Sequence, residues 1–96
     1  MPTYVTLIKY TEKGLDTFKD LPARLEEAKH SGDPMGARLI SYYLTMGQYD
    51  AVVVSEAPDD RTIAKLALQA GGRGAVHTET MRAFTEDEAL EIAREL

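Results

Sequence analysis

The chain has 96 residues, a formal net charge of −5, and eleven Lys and Arg spread along its length. That balance excludes nucleic acid as the main partner, because phosphate binding needs a concentrated positive surface, and it disfavours docking on an anionic membrane. With no cysteine, disulfides, thiolate catalysis and sulfur-built zinc sites are excluded as well.

The start, MPTYVTLIKY, lacks the basic segment and apolar run of a signal peptide. No stretch approaches the ~18 consecutive apolar residues of a membrane span, so a cytoplasmic protein is expected. The length suits one domain covering residues 1–96, and 28% charged against 44% hydrophobic residues is a globular balance.

Thr3 to Tyr10 predicts the first strand, rich in β-branched and aromatic residues. Alternation puts Tyr4, Thr6, Ile8 and Tyr10 on one face and Thr3, Val5, Leu7 and Lys9 on the other. Neither face is plainly solvent-like, as expected of a sheet covered on both sides. Helical spacing follows at Leu15, Phe18, Leu21, Leu25 and Ala28. Pro22 splits it, because proline is tolerated in a first turn and not mid-helix. The expectation is a turn over 14–19, then a helix over 21–30 capped by Asp20.

Residues 37–46 and 49–57 predict a hairpin around a two-residue Gly47-Gln48 turn. That register pairs Thr45 with Asp50, Tyr43 with Val52, Ser41 with Val54 and Leu39 with Glu56 on one face. The other face, with Ile40, Tyr42, Leu44, Met46, Tyr49, Ala51, Val53 and Ser55, is apolar enough to meet helices. Residues 59–70 predict a helix, with Asp59 and Asp60 supplying capping oxygens at its start, ended by Gly71-Gly72-Arg73-Gly74. That glycine run precedes a strand rather than opening a helix, the wrong order for a phosphate loop. Residues 75–84 predict the fourth strand, and Thr85-Glu86-Asp87-Glu88 is a capping box opening a C-terminal helix.

The order β-α-β-β-α-β plus a last helix gives an α+β, ferredoxin-like fold: a four-stranded antiparallel sheet with both main helices on one face. The other face carries apolar side chains and would be a large exposed patch in a monomer. A homodimer, or a higher homo-oligomer, is therefore expected, built as a dimeric α+β barrel.

Gly47-Gln48-Tyr49-Asp50 resembles the G-x-Y-D signature of the GYD domain family. The resemblance extends through Glu56-Ala57-Pro58-Asp59-Asp60 and Glu79-Thr80-Met81-Arg82-Ala83-Phe84, and so covers nearly the whole chain. It implies a small bacterial or archaeal domain of the dimeric α+β barrel superfamily, whose members include cofactor-independent oxygenases and lactone isomerases. It carries a fold and no reaction.

The residues with chemistry to offer sit mainly on strands. Asp50 is a candidate general base with Tyr49 as a donor, but a carboxylate in a turn more often accepts backbone N–H bonds. His77 and Glu79 form H-x-E on one strand face and make a candidate acid–base pair. Glu56 is a further candidate if register brings it near, although a metal would want three or four such ligands and none is expected. His30, at a helix end, reads as a favourable charge for the dipole.

Arg82 can clamp a substrate carboxylate or pair with an acidic residue. Tyr43 and the other four tyrosines suit a half-wet cavity or ordinary sheet packing. No cofactor is implied. A small-molecule-binding barrel ranks first, a cofactor-independent oxygenase- or isomerase-like enzyme second, and a structural or regulatory oligomer without ligand third.

Overall fold

A computed structural model describes all of residues 1–96. Its elements in order are β1 (Thr3–Tyr10), α1 (Glu12–Asp16), a 3-10 turn (Phe18–Asp20), α2 (Leu21–Ser31), a second 3-10 turn (Asp33–Met35), β2 (Arg38–Leu44), β3 (Ala51–Glu56), α3 (Asp60–Gly72), β4 (Val76–Ala83) and α4 (Glu86–Arg94). The strands form one sheet in the order β2-β3-β1-β4, with every neighbouring pair antiparallel. This is the ferredoxin-like arrangement, with two β-α-β crossovers placing α2 and α3 above the same face. No helix is long and apolar enough to cross a membrane.

β1 sits between β3 and β4 and sets the register of both. Tyr4, Thr6 and Ile8 lie opposite Ser55, Val53 and Ala51 on one side, and opposite Arg82, Thr80 and Thr78 on the other. All of these share the helix-side face. Val5 and Leu7 lie opposite Val54 and Val52, and opposite Met81 and Glu79, on the open face.

The predicted hairpin register holds for Ser41–Val54 and Tyr43–Val52, but a bulge between Leu39 and Ser41 leaves Ile40 without a partner. One extra residue on one strand flips every side chain beyond it. Arg38 rather than Leu39 therefore faces Glu56, and Leu39 turns to the helix side opposite Ser55. The connection is also wider than a two-residue turn. Thr45 N–H donates to the Asp50 carbonyl at 2.8 Å, and the Thr45 hydroxyl donates to the Tyr49 carbonyl at 2.7 Å, closing a loop over Met46–Tyr49.

Two local details differ from the sequence pattern for clear reasons. Asp20 makes no capping bond to α2, because the 3-10 turn before it already holds its backbone near helical values. A cap needs an extended residue to swing its oxygen back over the first turn. Asp59 is extended and does cap α3, accepting from Thr62 N at 2.9 Å. The predicted helix end at Gly71 comes later. α3 runs on through Gly72, and the left-handed step falls at Gly74, with φ of 80°.

The core is thin and made of small residues. Only eight residues are buried, and of the six apolar ones Tyr4 is the sole bulky side chain beside Ala37, Ala51, Val53, Ala57 and Ala75. Close backbone approach replaces side-chain filling. A Cβ on Gly14 would stand 2.2 Å from the Ala75 carbonyl oxygen, so only glycine fits where α1 crosses the start of β4. Thr11 N–H donates to that same oxygen at 3.0 Å, and its hydroxyl donates to the Gly74 carbonyl at 2.6 Å.

α2 lies over the β2 side and α3 over the β4 side. The middle of the sheet's helix-side face is left incompletely covered. α4 opens with the expected capping box: the Glu88 carboxylate accepts Thr85 N–H at 2.9 Å, and the Thr85 hydroxyl accepts Glu88 N–H at 3.2 Å. It then projects from the body with Leu90, Ile92 and Leu96 exposed. The radius of gyration of 14.3 Å reflects this projection; about 12.5 Å is ordinary for such a length.

Candidate functional site

Pleating separates the sequence candidates between two faces. His77, Glu79, Glu56 and Tyr43 are on the open face, opposite Lys9, Leu7, Thr3 and Val52 respectively. Tyr49, from the hairpin loop, joins them by donating its hydroxyl to Glu79 Oε2 at 2.5 Å. That bond, followed by desolvation, raises the Tyr49 hydroxyl above its ordinary pKa. Glu79 is thus engaged by Tyr49 rather than by His77.

Glu56 lies four positions along β1 from Glu79 and is held by Arg38, whose Nη2 and Nε reach Oε1 at 2.7 and 2.8 Å. His77, Glu79 and Glu56 are not brought together, and no cluster of three His, Asp or Glu suited to a metal forms in the chain.

Asp50 is half-buried and turned toward backbone rather than toward His77. Its Oδ2 accepts the Tyr10 backbone N–H at 2.9 Å, while its own N–H donates to the Ile8 carbonyl at 2.8 Å. The carboxylate therefore fastens the hairpin loop to the end of β1 after regular pairing stops. Arg82 sits at the other end of the sheet, on the helix side. Its guanidinium lies 4.6 Å from the Phe84 ring centroid and 5.8 Å from that of Tyr4, and it donates to the Thr3 carbonyl at 3.3 Å. Stacked between aromatic faces, it behaves first as a packing cation. Tyr4 is tied to the first turn of α3 by a 2.5 Å bond to Asp60 Oδ1; burial, helped by that bond, pushes its hydroxyl pKa up to about 12.

The concave feature of the molecule is elsewhere. A cleft of about 260 Å3 opens between α2, α3 and the helix-side face. Leu21, Leu25 and Ala28 of α2 line one wall, Ile63, Leu66, Ala67 and Ala70 of α3 the other, and Ile8, Leu39 and Val53 the floor. Set into this apolar lining are the hydroxyls of Thr6, Tyr10, Tyr42, Ser55, Thr78 and Thr80, with Arg24, Arg38 and Arg73 as the charged residues.

Tyr10 and Tyr42 meet hydroxyl to hydroxyl at 2.9 Å, and Thr6 and Thr80 at 3.1 Å. The Tyr10 ring stands edge-on to Phe18 with centroids 5.3 Å apart. Burial and then the bond to Tyr42 raise the Tyr10 hydroxyl far above its usual range, so it stays protonated and can donate or accept. Apolar walls with a few polar groups set among them are the usual make-up of a small-molecule pocket.

The sequence candidates miss Tyr10 and Tyr42 as a pair. The signal was present, since every second residue from Tyr4 to Tyr10 shares a face. What the sequence does not give is the space above that face, which depends on where α2 and α3 come to rest.

These features define a ferredoxin-like α+β sheet domain with a cleft on its helix side and an uncovered apolar face on the other. The chain belongs to the GYD domain family, whose model matches residues 4–93. It is 36% identical over 85 residues, 88% of this chain and 90% of the relative, to the glutamine synthetase and cystathionine beta-lyase binding protein of Thermus thermophilus.

Among solved structures, it is similar to a feast or famine regulatory protein from M. tuberculosis complexed with L-methionine. The TM-score there is 0.66 at 18% identity, over 88% of this chain and 51% of that one, so the chain spans about half of that protein's length. A second crystal structure, of a protein from Thermus thermophilus, gives a TM-score of 0.55 at 21% identity over 88% of this chain and 95% of that one. At these identities the structural likeness establishes the fold.

The Asp50 fastening makes a direct prediction. Asp50→Ala leaves the Tyr10 N–H without its partner and should cost ~1–3 kcal/mol, the usual penalty for orphaning a partly buried donor. Asp50→Asn keeps an accepting oxygen and should cost clearly less. Urea denaturation of the three proteins checks this, and equal stability of Asp50→Ala and the parent would contradict the role.

Proposed function

We propose that this GYD-domain chain is a homodimeric binding subunit that takes a small, largely apolar molecule into the cleft between its helices and its sheet. The observation that carries this reading is the cleft itself, about 260 Å3 of apolar-walled space converging on the Tyr10–Tyr42 hydroxyl pair. Its lining contains hydroxyls and guanidinium groups but no histidine or carboxylate. Acid–base chemistry of the oxygenase or isomerase kind has no base at hand there, which favours binding over catalysis.

The dimer follows from the open face. Val5, Leu7, Val52, Val54 and Met81 form a continuous apolar surface with Tyr43 beside it, and only a second layer can remove that surface from water. A second copy supplies such a layer by symmetry. The rim then carries His77, the Tyr49–Glu79 pair and the Arg38–Glu56 pair.

The cleft is tested with an uncharged apolar probe, 1-octanol, followed by amide chemical shifts. Shifts should concentrate at Ile8, Tyr42, Val53 and Ala67, and Ala67→Phe should fill the space and weaken binding by about tenfold or more, at least ~1.4 kcal/mol. Shifts confined to the open face, or undiminished binding to Ala67→Phe, would sink the reading.

A second reading is docking onto an enzyme, favoured by the relative named for binding glutamine synthetase and cystathionine beta-lyase. The exposed apolar residues of α4 are available for such a contact. Mixed with either enzyme at micromolar concentration, the chain should co-elute in size-exclusion chromatography, and removal of residues 85–96 should abolish this. Independent elution from both enzymes would rule the reading out.

A further inference from the structure

Three arginines line the cleft, and they are not equivalent. Arg38 holds Glu56 at 2.7 Å, and Arg73, just past the end of α3, is paired with Glu27 at 3.2 Å. Arg24 lines the cleft from α2 and enters no ion pair with any carboxylate of the chain. Of the three arginines that line the cleft, Arg24 is therefore the one whose guanidinium is not engaged by a carboxylate. Arg24 and the Tyr10–Tyr42 hydroxyl pair line the same cleft.

Resting on the cleft reading above, we propose that the cleft takes an apolar molecule ending in a single carboxylate, with the carboxylate held by Arg24 and the Tyr10–Tyr42 hydroxyls and the apolar body lying along the walls of α2 and α3. The guanidinium fork matches a carboxylate through two parallel N–H···O bonds. A neutral tyrosine hydroxyl turned toward the head donates a further bond, and its partner keeps the first tyrosine oriented. The rest of the lining offers no second free cation, so the ligand carries its charge at one end. The acidic surface repels free anions at long range, and affinity then depends on the apolar body and the head acting together.

The test compares octanoate with 1-octanol, which share a chain length and differ in the charged head, by calorimetry and amide shifts on the intact protein. Octanoate should bind about tenfold or more tighter than octanol at low salt, with the advantage shrinking as salt rises. Arg24→Gln should erase the preference by bringing octanoate down to the affinity of octanol, and Arg24→Lys should restore part of it. Arg73→Gln should keep most of the preference, because Arg73 is already engaged with Glu27.

Equal affinity for the two compounds, or a preference that survives Arg24→Gln, overturns the assignment of the carboxylate while the cleft stands. Failure of both compounds to bind overturns the cleft reading and this inference together. Arg24 is exposed and without an ion-pair partner, so the variants should keep the parent's fold, which far-ultraviolet circular dichroism checks.

Discussion

The structure depends on the pleat of β1. Because β1 lies between β3 and β4, its alternation decides which residues of three strands face the helices and which face away. Tyr4, Thr6, Ile8 and Tyr10 form the floor under α2 and α3, while Val5 and Leu7 form the centre of the open side. A shift of one residue in either pairing would exchange these sets and remove both the cleft floor and the apolar open surface. Asp50 secures this register at the end of β1 where the hairpin loop would otherwise be free, accepting from Tyr10 N and donating to Ile8 O. The G-x-Y-D segment thus acts first as a fastening: its tyrosine reaches Glu79 on β4 and its aspartate reaches the backbone of β1.

From that register follows the division of labour between the faces. α1 approaches the sheet so closely that a glycine and an alanine carbonyl are in contact, and the other buried positions are mostly alanines. Packing of this kind holds the helices by their ends and edges and does not fill the middle. The space over Ile8, Val53 and Tyr42 is the result, an apolar-walled cleft with a minority of hydroxyl-bearing residues in its lining. On the opposite face the apolar centre and the polar rim have the composition of a protein interface, with the charged pairs kept to the periphery.

Much of this was legible in the sequence because it rests on local chemistry. The strand alternation in Thr3–Tyr10, the proline restart at Pro22, the Asp59 cap and the Thr85–Glu88 capping box each specify structure within a few residues, and each has its counterpart in the fold. The bulge at Ile40 was not legible. Nothing in Arg38–Leu44 marks one residue as extra, and the bulge becomes visible only when β2 is laid on β3. For the same reason Leu39 changed faces and Glu56 gained Arg38. The candidate site shows the limit most clearly. Histidine and carboxylates draw attention to His77, Glu79 and Asp50, two of which lie on the open face and the third in the backbone ladder. The cleft is built mainly from aliphatic residues with tyrosine and threonine among them, types that carry no chemical signature until the helices are placed above them. Tyrosines suit a half-wet cavity, and which of them share one is a tertiary fact.

The central claim is that the two faces of this sheet have different occupants, helices and a ligand on one side and a second copy on the other. Solution mass, by multi-angle light scattering at micromolar concentration, tests it most directly. The account predicts twice the 10.6 kDa chain for the parent. For Val54→Glu, a charge at the centre of the open face, it predicts a folded species of single-chain mass. A parent that runs as a single chain, or a Val54→Glu variant that keeps the doubled mass, would contradict it.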